Sequence, residues 1–144
     1  MSLIFTFTKI LARILNKRLQ PLAERILPES QAGFRPSRGT TDMIFTMRQL
    51  QEKCQEQQKP LYTAFIKLTK AFDTVSRELQ WDIMRSYGCP HKFIKILRIL
   101  HDDMKATVIT NSGESKPFQV RSGIMQGCVI APTLFLIFIL ATAR

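Results

Sequence analysis

At 144 residues and 16.6 kDa, the chain has the length of one ordinary domain and can bury roughly two-thirds of its unfolded surface. Hydrophobic residues at 45% and charged residues at 22% exclude global disorder. The 21 Lys and Arg against 11 Asp and Glu leave a formal net charge of +10, which points to polyanionic partners, either nucleic acid or an anionic membrane surface.

The spacing predicts a first helix over Lys9–Gln20, with Ile10, Leu11, Ile14, Leu15 and Leu19 on one face and Arg13, Lys17 and Arg18 opposite. Pro21 opens a further turn through Ile26, and Pro28 ends it. A loop dense in Gly, Ser, Thr and Arg spans Gln31–Thr41. Asp42–Gln57 then reads as a helix with the stripe Ile44, Met47, Leu50 and Cys54, stopped by Lys59-Pro60. Leu61–Leu68 reads as a short strand carrying Tyr62, Phe65 and Ile66. Ser76 caps a helix running to Tyr87, with Gly88 beyond its end. Pro90 opens the next helix, whose apolar side holds Phe93, Ile96, Leu97, Leu100 and Met104. Thr107–Thr110 and Phe118–Arg121 form a hairpin around Asn111-Ser112-Gly113, and a glycine-containing loop leads into a last helix.

Cys54, Cys89 and Cys128 are an odd set without Cys-x-x-Cys spacing, so reduced thiols, no disulfide partner and an intracellular setting, nucleus or cytoplasm, are expected. His91 and His101 show no metal-ligand spacing and read as surface or helix-end histidines. The N-terminal apolar stretch lacks a basic region and a cleavage site, so no signal peptide is expected. The uncharged run 128–143 falls short of the ~20 residues a membrane span needs and reads as a buried helix. Its packing partner is expected outside the chain, so Leu134–Leu140 should present apolar surface.

Three ordered segments carry a family resemblance: GFRPSRGTTDMIFTMRQLQEK at 33–53, LYTAFIKLTKAFDTVSRELQW at 61–81 and SGIMQGCVIAPTLF at 122–135. Together with the basic helix KILARILNKRL, they resemble the reverse transcriptase (RNA-directed DNA polymerase) of non-LTR, LINE-type retrotransposons. The resemblance implies an α+β fold, helix-rich with a small antiparallel sheet. It would be a partial right-hand polymerase over 1–144, fingers-like over about 9–60 and palm-like over 61–144. The Tyr-x-Asp-Asp hairpin and the thumb are missing from this sequence.

Polymerases of this kind join a primer 3′-hydroxyl to an α-phosphate with two Mg²⁺ ions held by carboxylates. The resemblance puts one of those carboxylates at position 67, where this chain carries Lys67, and the later acidic pair is absent. An ammonium has no lone pair to offer a metal. Asp102-Asp103 precedes the QGC segment and reads as a solvated helix end, while Asp73 matches the family's second, structural aspartate. No metal and no cofactor are therefore expected here, although active members use Mg²⁺.

By the same resemblance Arg35 grips the incoming triphosphate, Phe72 is the steric gate beneath the sugar, and Gln126 and Gly127 lie against the nascent base pair. Arg13, Lys17, Arg18 and Arg38 are candidates for tracking a phosphate backbone of RNA template and primer. The family's basic segment before the first helix is replaced by MSLIFTFT, with Ser2-Leu3 as its only remnant. Three readings follow: a truncated, inactive reverse transcriptase domain, a non-catalytic RNA-binding module reusing the basic fingers surface, or a helical partner-binding protein with incidental charge.

Overall fold

The structure is a computed structural model that describes residues 6–111 and 113–142; Ser2-Leu3 lies outside them. It consists of five helices and two small antiparallel pairings among the described residues: α1 (Thr6–Ile26), α2 (Thr40–Glu56), α3 (Arg77–Ser86), α4 (His91–His101), β1 (Lys105–Ala106), β2 (Ile109–Thr110), β3 (Gly113–Glu114), β4 (Phe118–Gln119) and α5 (Ala131–Thr142). This is the helix-rich α+β composition expected. The chain divides into two compact units, one built from 1–26 and 70–144, the other from 27–69.

In the first unit the core gathers around α5, which packs against α1 and α3. Leu134, Leu136 and Ile137 are buried, and Phe135, Ile139 and Leu140 are half-covered. A helix apolar on every side needs neighbours on several sides. Here α1 and α3 supply them within the chain, which corrects the expectation that Leu134–Leu140 lacks a packing partner. Thr133, buried on α5, donates to Asn16 Oδ1 at 2.8 Å and accepts from Gln20 Nε2 at 3.3 Å, so the α1–α5 seam is also polar-matched.

Helix α1 departs from its predicted form twice. It runs unbroken through Pro21 to Ile26. Pro21 lies on the exposed side, so the carbonyl one turn earlier, at exposed Lys17, is left to solvent rather than orphaned in the core. The buried stripe is Ala12, Leu15, Leu19 and Ala23, whereas Ile10 and Ile14 are about half exposed. The small side chains of Ala12 and Ala23 allow close approach, which a hydrophobicity count overlooks.

Helix α3 follows its local signals. Ser76 Oγ accepts from Leu79 N–H at 3.5 Å. At the other end Gly88 adopts φ +82°, its N–H reaches Arg85 O at 2.9 Å, and Cys89 N–H reaches Met84 O at 3.0 Å, a Schellman closure. His101, at the end of α4, is buried at 1% exposure with its ring edge-on to Trp81 at 5.6 Å. It is therefore a core histidine, and only His91 sits at the surface. Asp102 and Asp103 are exposed, in keeping with a solvated helix end.

The chain turns back between Thr110 and Gly113 as expected, but the predicted arms Thr107–Thr110 and Phe118–Arg121 do not pair with each other. Lys105 faces Gln119 and Ala106 faces Phe118, but Ile109 faces Glu114 and Thr110 faces Gly113. Two residues separate β1 from β2, and three separate β3 from β4, so one extra residue bulges on the returning strand beside Pro117, which has no N–H to donate.

In the second unit α2 forms as predicted but starts two residues before Asp42 and ends at Glu56, and Asp42 accepts from the Gly39 N–H at 2.7 Å to close its first turn. Its stripe is not a core: no residue of α2 is buried. The predicted strand over Leu61–Leu68 is absent; the segment is neither helix nor strand, with Tyr62 90% and Phe65 91% exposed. An isolated strand leaves its backbone donors and acceptors unpaired, and no described segment pairs with it.

Candidate functional site

Two motif segments distant in sequence meet in the first unit. The turn at Lys70–Val75 is tight: Asp73 N–H and Thr74 N–H both reach Lys70 O, at 2.9 and 3.1 Å, with Lys70 at φ +52°. The loop 122–127 is laced onto it by Gly123 N–H to Val75 O and Ile124 N–H to Phe72 O, both 2.9 Å. Gln126 Nε2 donates to Asp73 Oδ1 at 2.6 Å. Half-buried Phe72 stacks on Phe135 of α5, with ring centroids 4.5 Å apart. The approach is close enough that a Cβ on Gly123 would lie 2.8 Å from Asp73 Cα and O.

Arg77 locks this junction, and its role escaped the sequence analysis. It opens α3, where a cation opposes the helix dipole. Its guanidinium is turned back instead, donating to Gly123 O at 2.8 Å, His101 O at 2.7 Å and Ser122 O at 3.3 Å. A basic residue directly after an N-cap serine was the available signal. Burial pushes the Arg77 pKa down from its ordinary value, while Asp102 nearby opposes that shift.

Beside Arg77 lies a buried polar group of Gln80, Trp81 and His101. Among the described residues the Gln80 amide, Trp81 Nε1 and His101 Nε2 have no hydrogen-bond partner, while His101 Nδ1 lies 2.8 Å from Leu97 O. Burial pushes the His101 pKa below the usual histidine value.

Asp73 and Gln126 line a cavity of about 600 Å³ whose far wall is the base of the β-ribbon, with Lys105 and Thr107. Gln126 and Gly127 are exposed, Gly127 at φ +82°. Arg13, Lys17 and Arg18 are exposed along α1.

The remaining candidates belong to the 27–69 unit. Arg35 is not a free fork: its side chain is 9% exposed, donates to Pro28 O at 3.0 Å and pairs with Glu29 at 3.7 Å. Arg38 also pairs with Glu29, and its hydrogen bond and charge hold the Glu29 carboxyl below the usual carboxylate range. Phe34 and Ser37 adopt positive φ within this loop. Lys67 is exposed on the irregular segment 61–68, without an ion-pair partner among the described residues.

Mg²⁺ calls for converging hard oxygen ligands. Among the described residues no three His, Cys, Asp or Glu side chains gather, Asp73 is engaged by Gln126, and position 67 offers an ammonium. The residues present do not fit the metal. No described helix is long and apolar enough to cross a membrane, and all three cysteines are free thiols.

The profile of the family described as reverse transcriptase (RNA-dependent DNA polymerase) matches residues 1–144. Among curated proteins, the chain is 26% identical over 140 residues to a probable RNA-directed DNA polymerase from transposon BS of Drosophila melanogaster, covering 95% of the chain and 15% of that protein. It is 26% identical over 139 residues to the RNA-directed DNA polymerase from mobile element jockey of Drosophila funebris, with 95% and 15% covered. Over 136 residues it is 26% identical to the transposon TX1 uncharacterized 149 kDa protein of Xenopus laevis, with 93% and 10% covered. The chain thus spans no more than 15% of the length of these relatives.

Proposed function

The chain belongs to the reverse transcriptase (RNA-dependent DNA polymerase) family, and from that premise we propose that it is a non-LTR retrotransposon reverse transcriptase-like domain that does not itself join nucleotides. In this reading 9–60 is fingers-like and 61–144 palm-like, and the partners are an RNA template with its primer. The observation that carries it is the Asp73–Gln126 junction, which joins two motif segments of the family at 2.6 Å. That junction supports Phe72, Gln126 and Gly127 as one face toward a nucleotide. Arg35 and Arg38, held by Glu29 within the 27–69 unit, remain candidates for phosphate contacts, and Arg13, Lys17 and Arg18 supply a basic face toward the backbone.

Absence of synthesis follows from charge. Lys67 attracts a phosphate and repels a divalent cation, so no metal-assisted displacement is derived for this chain. The test is primer extension on an RNA template with Mg²⁺, run beside RNA binding at two salt concentrations. The expected result is salt-sensitive binding with no incorporation, because phosphate contacts weaken steeply with salt. Lys67→Asp alone is expected to leave synthesis absent, since Mg²⁺ needs several converging carboxylates and no cluster of His, Cys, Asp or Glu gathers among the described residues. Incorporation by either protein refutes the proposal, and absence of RNA binding at low salt removes the binding half of it.

A further inference from the structure

Away from the junction, the first unit holds a cavity of about 510 Å³ between α1 and α4, a size that suits a small-molecule ligand. Leu19 and Leu22 of α1 and Phe93 and Ile96 of α4 form its walls, with Cys89 beneath. Burial pushes the Cys89 thiol up to about 11, so the floor is uncharged at neutral pH. Two cations complete the lining, Arg18 from one helix and Lys92 from the other. Neither makes a hydrogen bond or ion pair with the described residues, and no acidic residue lines the cavity.

The lining discriminates between ligand classes. A nucleobase or a peptide backbone brings donors and acceptors that need partners when desolvated. The lining has no uncharged polar side chain other than the thiol, and the N–H groups of Gly88 and Cys89 are already committed to Arg85 O and Met84 O. A hydrocarbon body makes no such demand, and an anionic head answers the two unpaired cations. We propose that the α1–α4 cavity is a binding site for a free amphiphilic anion, a hydrocarbon chain carrying a carboxylate, with Arg18 and Lys92 gripping the head and Leu19, Leu22, Phe93 and Ile96 enclosing the tail. The proposal does not rest on the polymerase-like reading, with which it shares Arg18 alone.

Calorimetric titration tests it, with laurate kept below its micellar concentration and dodecanol as the neutral chain of equal length. Laurate is expected to bind saturably, one per chain, and more tightly than dodecanol. The double variant Arg18→Gln, Lys92→Gln is expected to lose roughly tenfold in laurate affinity while dodecanol binding is unchanged. Trp81 emission and helical circular dichroism check that the variant is folded. Equal affinity of laurate and dodecanol for the unaltered protein overturns the proposal without recourse to any variant. So does undiminished laurate binding by the folded double variant, or absence of saturable binding. Displacement of laurate by an equimolar uridine oligonucleotide also overturns it, by assigning the two cations to a phosphate backbone.

Discussion

Gly123→Ala separates two effects that usually travel together. Gly123 and Gly88 adopt nearly the same backbone conformation, φ +84° and +82°. A side chain in this left-handed region costs about 1–2 kcal/mol, partly offset by about 0.4–1 kcal/mol from a less flexible unfolded chain. Gly88→Ala feels that strain alone, since a Cβ there meets nothing within 4 Å. Gly123→Ala adds a collision at 2.8 Å with Asp73 Cα and O and at 2.9 Å with Phe72 O. Those are backbone atoms that cannot rotate away. Relieving the overlap means stretching the Gly123–Val75 and Ile124–Phe72 hydrogen bonds, and such overpacking typically costs about 1–3 kcal/mol. The expected loss is therefore about 1 kcal/mol for Gly88→Ala and about 2–4 kcal/mol for Gly123→Ala. Urea unfolding followed by emission of Trp81, the single tryptophan, measures both. If the two variants agree within about 0.5 kcal/mol, the loop does not pack against the Phe72–Asp73 backbone as described.

His101 predicts a pH dependence. Its pKa in the folded protein lies below the ordinary value because burial disfavours the imidazolium, a shift to which the nearby Arg77 charge adds and which the Leu97 carbonyl and Asp102 oppose. The unfolded chain thus takes up the proton first, and the stabilising contribution, complete above about pH 6.5, falls as the pH drops below it. Urea midpoints at pH 7.5 and 5.5 should differ for the unaltered protein and differ less for His101→Phe; equal shifts would exclude His101 as the source. The thiols offer a second check. With Cys89 raised to about 11 and Cys128 also raised by burial, iodoacetamide at pH 8 should label half-buried Cys54 first, with the other two reacting only in denaturant. Peptide mapping that finds Cys89 labelled as fast as Cys54 contradicts its position on the cavity floor.

The sequence was most informative where structure depends on neighbours along the chain. Ser76 and Gly88 bracket α3 because caps act within one turn. Leu61–Leu68 misled because strand-forming residues such as Tyr62, Phe65 and Ile66 do not reveal the partner strand that a strand requires. His101 does stand at a helix end as expected, but its burial was not legible for a similar reason: it comes from Trp81, on another helix. The two motif segments that meet at Asp73 and Gln126 were legible through family resemblance, whereas the Arg77 clasp was not. Three carbonyls drawn from one distant loop and the end of another helix leave no pattern in a linear text.

The Thr133 hydroxyl joins Asn16 and Gln20 across more than a hundred residues. A ribosome releases α1 long before the helix that covers it. Throughout that interval Leu15 and Leu19 have no α5 to meet, and closing so large a loop is entropically slow to be rewarded. The nascent chain is thus expected to hold an uncovered apolar helix until residues 131–142 emerge, a window in which a chaperone or a neighbouring nascent chain competes with α5.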